Sequence, residues 1–117
     1  MKALHLRRLL RHQLSSLFRI PHPLKPDAIP PLDGVDILLH PTAIRTAPLL
    51  EDADQSGEHE YLQDLLTVPA SLAGLPAMSV PADRGEDGWP VGMSLVGQWG
   101  MEDILFWVGK GVESWKA

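Results

Sequence analysis

Five prolines in eleven residues, Pro21, Pro23, Pro26, Pro30 and Pro31, constrain this chain more than any other feature. Each fixes φ near −65° and removes a backbone N–H donor, so the stretch cannot form a helix or a central strand. The spacing predicts an extended connector over residues 20–34. It separates a basic amphipathic segment, residues 1–19, from a mixed helix and strand segment, residues 35–117.

Charge divides at nearly the same place. The first 26 residues hold six of the ten Lys and Arg and no acid, whereas the remainder holds four bases and fifteen acids. An acidic body of this kind lacks the basic face of a nucleic-acid binder, so no direct nucleic-acid contact is expected. There is no Cys, which excludes disulfides, thiolate metal sites and a cysteine nucleophile. The longest uncharged run, Leu65 to Ala82, contains Pro69, Pro76, Pro81 and Gly74. Three prolines there would leave backbone groups unpaired in lipid, so the run is expected to form a folded core and not a membrane span.

Residues 2–19 place Leu6, Leu10, Leu14 and Leu17 at helical spacing, with Arg8, Arg11 and Arg19 on another face. A mitochondrial targeting helix and an internal helix of a larger fold both have this pattern. Val35 to Leu39 is an apolar branched run closed by Pro41, expected as a strand buried on both faces. Glu51 to Glu60 is expected as an acidic surface loop. Tyr61 to Leu66 is expected as helix. Thr67, Pro69 and Gly74 are placed to cap, start and end a further turn. Ala77 to Val80 and Val91 to Val96 read as an antiparallel hairpin across the polar turn Asp83 to Gly88. Met101 to Trp115 reads as a closing helix. Ile104, Leu105, Val108, Val112 and Trp115 share one face, and Glu102 and Asp103 lie in the first turn, where the helix dipole favours acids. Gly109 and Gly111 each weaken that helix by about 1 kcal/mol.

The residues alone assemble no catalytic set. His5, His12, His22, His40 and His59 include no pair at metal-ligand spacing, and no phosphate-binding glycine loop is present. No metal or cofactor is expected. Ser71, Ser79 and Ser94 have no base beside them in sequence and read as packed, hydrogen-bonded serines. Asp64, beside Leu62 and Leu65, is either a helix-surface charge or a carboxylate aimed into a cleft.

The stretches DILLHPTA, YLQDLLTVPASLAGLPAMSVPA and GWPVGMSLVGQ resemble the C-terminal third of the amidase-signature family. The likeness is strongest to the glutamine-hydrolysing A subunits of tRNA-dependent amidotransferases, including fungal mitochondrial forms. It implies an α/β fold, a C-terminal fragment of the amidase-signature fold, with strands of a mixed sheet and flanking helices. It implies glutamine as substrate, partners of the B and C type or fungal F type, and a mitochondrial location, with the cytoplasm as alternative. The family's Ser–Ser–Lys set lies in a Gly/Ser-rich segment and an upstream lysine, and no Gly-Gly-Ser-Ser-Gly run exists here. No catalytic residue is therefore assigned, and the chain alone is expected to be inactive. The resemblance carries one residue over: Asp64 matches the aspartate that holds the substrate amino group. His40 and Ser71 depart from the family's usual Thr and Asn. A fragment of a general amide hydrolase and a non-enzymatic interaction fragment are the alternative readings.

Overall fold

The computed structural model describes residues 1–25, 27, 29–53 and 57–115, with side chains for all of these except 52, 53 and 57–60. In chain order the elements are α1 (Lys2–Ser15), β1 (Ile37–Pro41), α2 (Leu50–Ala53), α3 (Gly57–Asp64), α4 (Val68–Ala73), β2 (Ala77–Arg84), β3 (Pro90–Gly97) and α5 (Glu102–Glu113). The strands form one sheet of order β1-β3-β2, antiparallel throughout. Among the described residues the parallel pairing is an isolated bridge between Phe18 and Val35.

β3 is central because it alone carries an apolar run free of proline beyond its first residue. Its side chains alternate between two cores, as the pleat requires. Leu95 joins Val80 and Leu105 beneath α5, with Ile37, Met78, Met93, Val108 and Val112 packed around them. Val96 points the other way and joins Phe18, Ala70, Ala73 and Leu75, with Leu14 and Leu38 at the margin. Phe18 is 1% exposed. Burying such a side chain contributes about 1.5–3 kcal/mol.

The expected buried strand at Val35 to Leu39 begins later and lies at a sheet edge, leaving Leu39 58% exposed. Only β3 pairs with it, so its outer side has no neighbour within the described chain. The hairpin strand expected to stop at Val80 runs on to Arg84. Pro81 is tolerated because β2 is also an edge strand, and the register shifts between Pro81 and Asp83. Gly88, at φ +82°, supplies the left-handed turn at the hairpin tip.

The acidic stretch is not simply a loop, since α2 and α3 occupy much of it. It holds no proline, so its backbone is free to form helix. Residues 54–56 lie outside the described residues. Thr67 precedes α4 but makes no side-chain cap; its hydroxyl donates to the Asp64 carbonyl at 3.1 Å. Gly74 ends α4 at φ +70°, as its position predicts. α5 forms where expected, yet Trp115 lies past its end and is exposed. Gly109 faces the sheet, where a Cβ would stand 3.0 Å from Met78 Sδ and 3.3 Å from Val80 Cγ1. Close approach of α5 to β2 is the reason for glycine there.

α1 ends at Ser15, short of the expected Arg19, because the chain turns to deliver Phe18 into the core. Polar contacts hold this segment to the rest at several points. Arg7 Nε donates to the Leu72 carbonyl at 2.9 Å. Val35 N donates to the Leu17 carbonyl at 3.0 Å, and Arg19 N donates to the Val35 carbonyl at 2.9 Å. Another is Gln98, 1% exposed at the end of β3. Its Nε2 donates to the carbonyls of Ser15 (3.2 Å) and Ile20 (3.1 Å), and its Oε1 accepts from Ser15 Oγ (3.2 Å) and Trp99 N (3.0 Å).

Two substitutions test this attachment by urea unfolding. Gln98→Ala removes four hydrogen bonds from a buried site and should cost about 2–4 kcal/mol. Gly34→Ala should cost about 1–3 kcal/mol, because its Cβ would stand 2.8 Å from the backbone N and Cα of Arg19. An unchanged midpoint for both would contradict the attachment.

Candidate functional site

The loop leaving β1 passes over the face of β2 and β3 opposite α5. There a row of small polar side chains replaces the apolar core. Antiparallel register sets His40 and Ser79 on either side of Ser94. Thr42 then lies over Gly92, donating its backbone N–H to the Gly92 carbonyl at 3.1 Å. Thr42 Oγ1 and Ser79 Oγ share a hydrogen bond of 2.6 Å, and Thr42 Oγ1 donates to Ser94 Oγ at 3.3 Å. A Cβ at position 92 would come within 2.8 Å of Ser79 Oγ, so any larger residue there would displace that hydroxyl from the row.

Thr42 and Ser79 border an open cleft of about 950 Å³, and Ser94 lies buried beneath them. Gln63 of α3 forms another wall, and Arg45, Glu86 and Asp87 supply charge. Gln63 Oε1 is buried and has no hydrogen-bond partner among the described residues. Asp87, on the hairpin tip, accepts a hydrogen bond from Thr46 Oγ1 and another from Trp89 N at 3.1 Å. The Thr46 bond, followed by the Trp89 backbone bond, holds the Asp87 carboxyl below its ordinary range, because both favour the charged form.

Ser79 and Ser94 sit in this hydroxyl row, and Ser71 Oγ donates to the Thr67 carbonyl at 3.4 Å. No base is bonded to any of the three, so the packed reading of the serines agrees with the geometry. Asp64 closes α3 immediately after Gln63, with its side chain exposed. It is not among the residues lining this cleft. Its backbone carbonyl receives Thr67 N at 3.0 Å, which fixes the turn into α4. Within this chain, therefore, Asp64 is a surface carboxylate at the joint between two helices. Sequence reasoning missed Gln63, Asp87 and Gln98. For Gln98 one signal was available: a lone amide directly after the apolar run Val91 to Gly97.

Comparison with known proteins decides the ancestry of this arrangement. The family model described as Amidase matches residues 1–106. The chain belongs to the amidase family. It is 57% identical over 86 residues to the mitochondrial A subunit of glutamyl-tRNA(Gln) amidotransferase from Mycosarcoma maydis, a match covering 70% of this chain and 16% of that protein. It is 38% identical over 118 residues to the corresponding protein of Tuber melanosporum, covering 97% of this chain and 24% of the relative. The chain thus spans about a quarter or less of the length of these relatives. Among solved structures, the A subunit of glutamyl-tRNA(Gln) amidotransferase from Thermotoga maritima superimposes with TM-score 0.64 at 32% identity, covering 83% of this chain and 18% of that one. A 6-aminohexanoate cyclic dimer hydrolase superimposes with TM-score 0.54 at 34% identity, covering 70% and 20%. The amidase relationship expected from the motifs holds, as does the α/β class.

The Asp87 contact predicts a pH effect. A carboxyl with a lowered folded-state pKa contributes stability above its unfolded value of about 3.9, lost as pH falls through the folded value. Thr46→Val should move the Asp87 titration, followed by NMR of its side-chain carboxyl, upward toward the ordinary range. An unmoved titration would show that Thr46 does not stabilise the carboxylate.

Proposed function

We propose that this chain is the C-terminal part of an amidase-signature protein of the glutamyl-tRNA(Gln) amidotransferase A type. In this reading residues 35–117 form that part of the amidase domain, α1 within residues 1–19 is an internal helix, and residues 20–34 connect the two. The observation that carries the reading is the 57% identity to a protein of that name. The family match begins at residue 1 and so includes α1, which supports an internal helix over a targeting one. The names of the fungal relatives support a mitochondrial setting. The partners in this reading are the B and C-type or fungal F-type subunits, and the substrate is glutamine.

The chemistry divides between two parts of the whole protein. Amide hydrolysis needs an activated nucleophile and donors for the developing oxyanion. The hydroxyls described above have no base, so the nucleophile is supplied by the segment that carries the family's Gly/Ser-rich run. The contribution of this chain is Asp64. Its exposed carboxylate, with no partner among the described side chains, is free to accept charge-assisted hydrogen bonds from the ammonium of glutamine. A general amide hydrolase is the second reading, favoured by the similarity to the cyclic dimer hydrolase.

Two measurements test the proposal. The purified chain should release no ammonia from glutamine above blank, and clear turnover would refute the divided arrangement. Joined to the remainder of the Mycosarcoma maydis protein, the chain should support glutamine hydrolysis, and Asp64→Asn should raise KM for glutamine about 10- to 100-fold. An unchanged KM removes Asp64 from the substrate site. Hydrolysis of simple aliphatic amides in preference to glutamine would favour the second reading.

A further inference from the structure

A second cleft, of about 770 Å³, lies between the C-terminal half of α1, the proline-rich connector and Trp99. It shares no lining residue with the cleft beside Gln63. Arg8, Arg11, His12, His22 and Lys25 all line it, and no Asp or Glu does. Arg8 and Arg11 stand three residues apart on one helix and repel each other, an arrangement that costs stability unless something neutralises it. The ion pair found among the described residues, Arg19 with Asp36, involves none of these cations. The acidic body of the chain therefore leaves this cluster uncompensated.

The wall of the cleft is aromatic. The His22 ring stacks on the Trp99 indole with centroids 4.9 Å apart and planes 15° from parallel, and Trp99 remains 42% exposed. The buried Gln98 amide holds the Trp99 backbone N–H, so the indole is presented from an anchored position. Clustered guanidinium and ammonium groups bind phosphate through charge-assisted hydrogen bonds, and a flat aromatic wall offers a surface for a base.

We propose that this cleft is an anion site for a nucleoside polyphosphate, its phosphates held by Arg8, Arg11 and Lys25 and its base laid against the His22–Trp99 wall. The site is independent of the amidase reading, since it uses neither Asp64 nor the hydroxyl row.

Isothermal titration of the 117-residue chain with inorganic pyrophosphate and with ATP tests it. Both should bind, ATP more tightly, and raising salt should weaken both. The double variant Arg8→Ala/Arg11→Ala should lose at least tenfold in affinity for either ligand, with its circular dichroism unchanged because both side chains are exposed. Trp99→Ala should bring ATP down to the affinity of pyrophosphate. Lys110→Ala, on α5 away from the cleft, should change nothing. Absence of binding at millimolar pyrophosphate, an undiminished double variant, or an equal loss in Lys110→Ala would overturn the site. Equal affinities of the native chain for ATP and pyrophosphate would overturn the role of the aromatic wall.

Discussion

Gln98 is the contact on which the arrangement of this chain depends. A primary amide offers two donors and two acceptor positions, and here all four are used by groups from three places in the chain. The end of α1, the start of the proline-rich connector and the exit of β3 converge on one side chain. A fully satisfied buried amide of this kind is directional, which apolar contact is not. It sets where α1 ends relative to the sheet, while Phe18 and Val96 supply the hydrophobic energy. The same amide anchors Trp99 and so shapes the basic cleft.

The sheet serves its two faces differently. Beneath α5 it is closely packed, down to a glycine in the helix where Met78 and Val80 press against it. On the other face the apolar character stops part-way along β3. Past Val96 the row becomes Ser94, Ser79 and Thr42, and a cleft opens. Both outer strands are edges. Exposed strand edges are ordinarily covered by further chain. Phe106 and Trp107 on the outer side of α5 are exposed as well. These surfaces agree with a chain that spans about a quarter or less of its relatives' length.

Much of the fold was legible because local chemistry and tertiary packing agree. The helix at 102–113, the hairpin and the left-handed glycine after α4 follow from spacing and turn residues alone. Two of the misread elements share a cause, and the third does not. Leu39 is as apolar as Leu38, yet only the sheet order makes β1 an edge. Pro81 reads as a strand terminator unless the strand is known to have a free side. The acidic stretch reads as loop because charge density hides helix propensity. Asp64, read from its apolar neighbours and the family motif, lies outside the cleft; Gln63 and Asp87, which line it, carry no local signature and acquire their surroundings from segments far away in sequence.

By itself the sequence determined the breaks, the periodic elements and the family, because proline, glycine and apolar spacing act over a few residues. Only the tertiary structure decided which strands are edges, that Gln98 ties α1 to β3 across more than eighty residues, and that five basic side chains of one segment line a single cleft against Trp99. Those outcomes are pairings between distant groups. Their free energy exists only once the chain has closed on itself, and no local pattern encodes it.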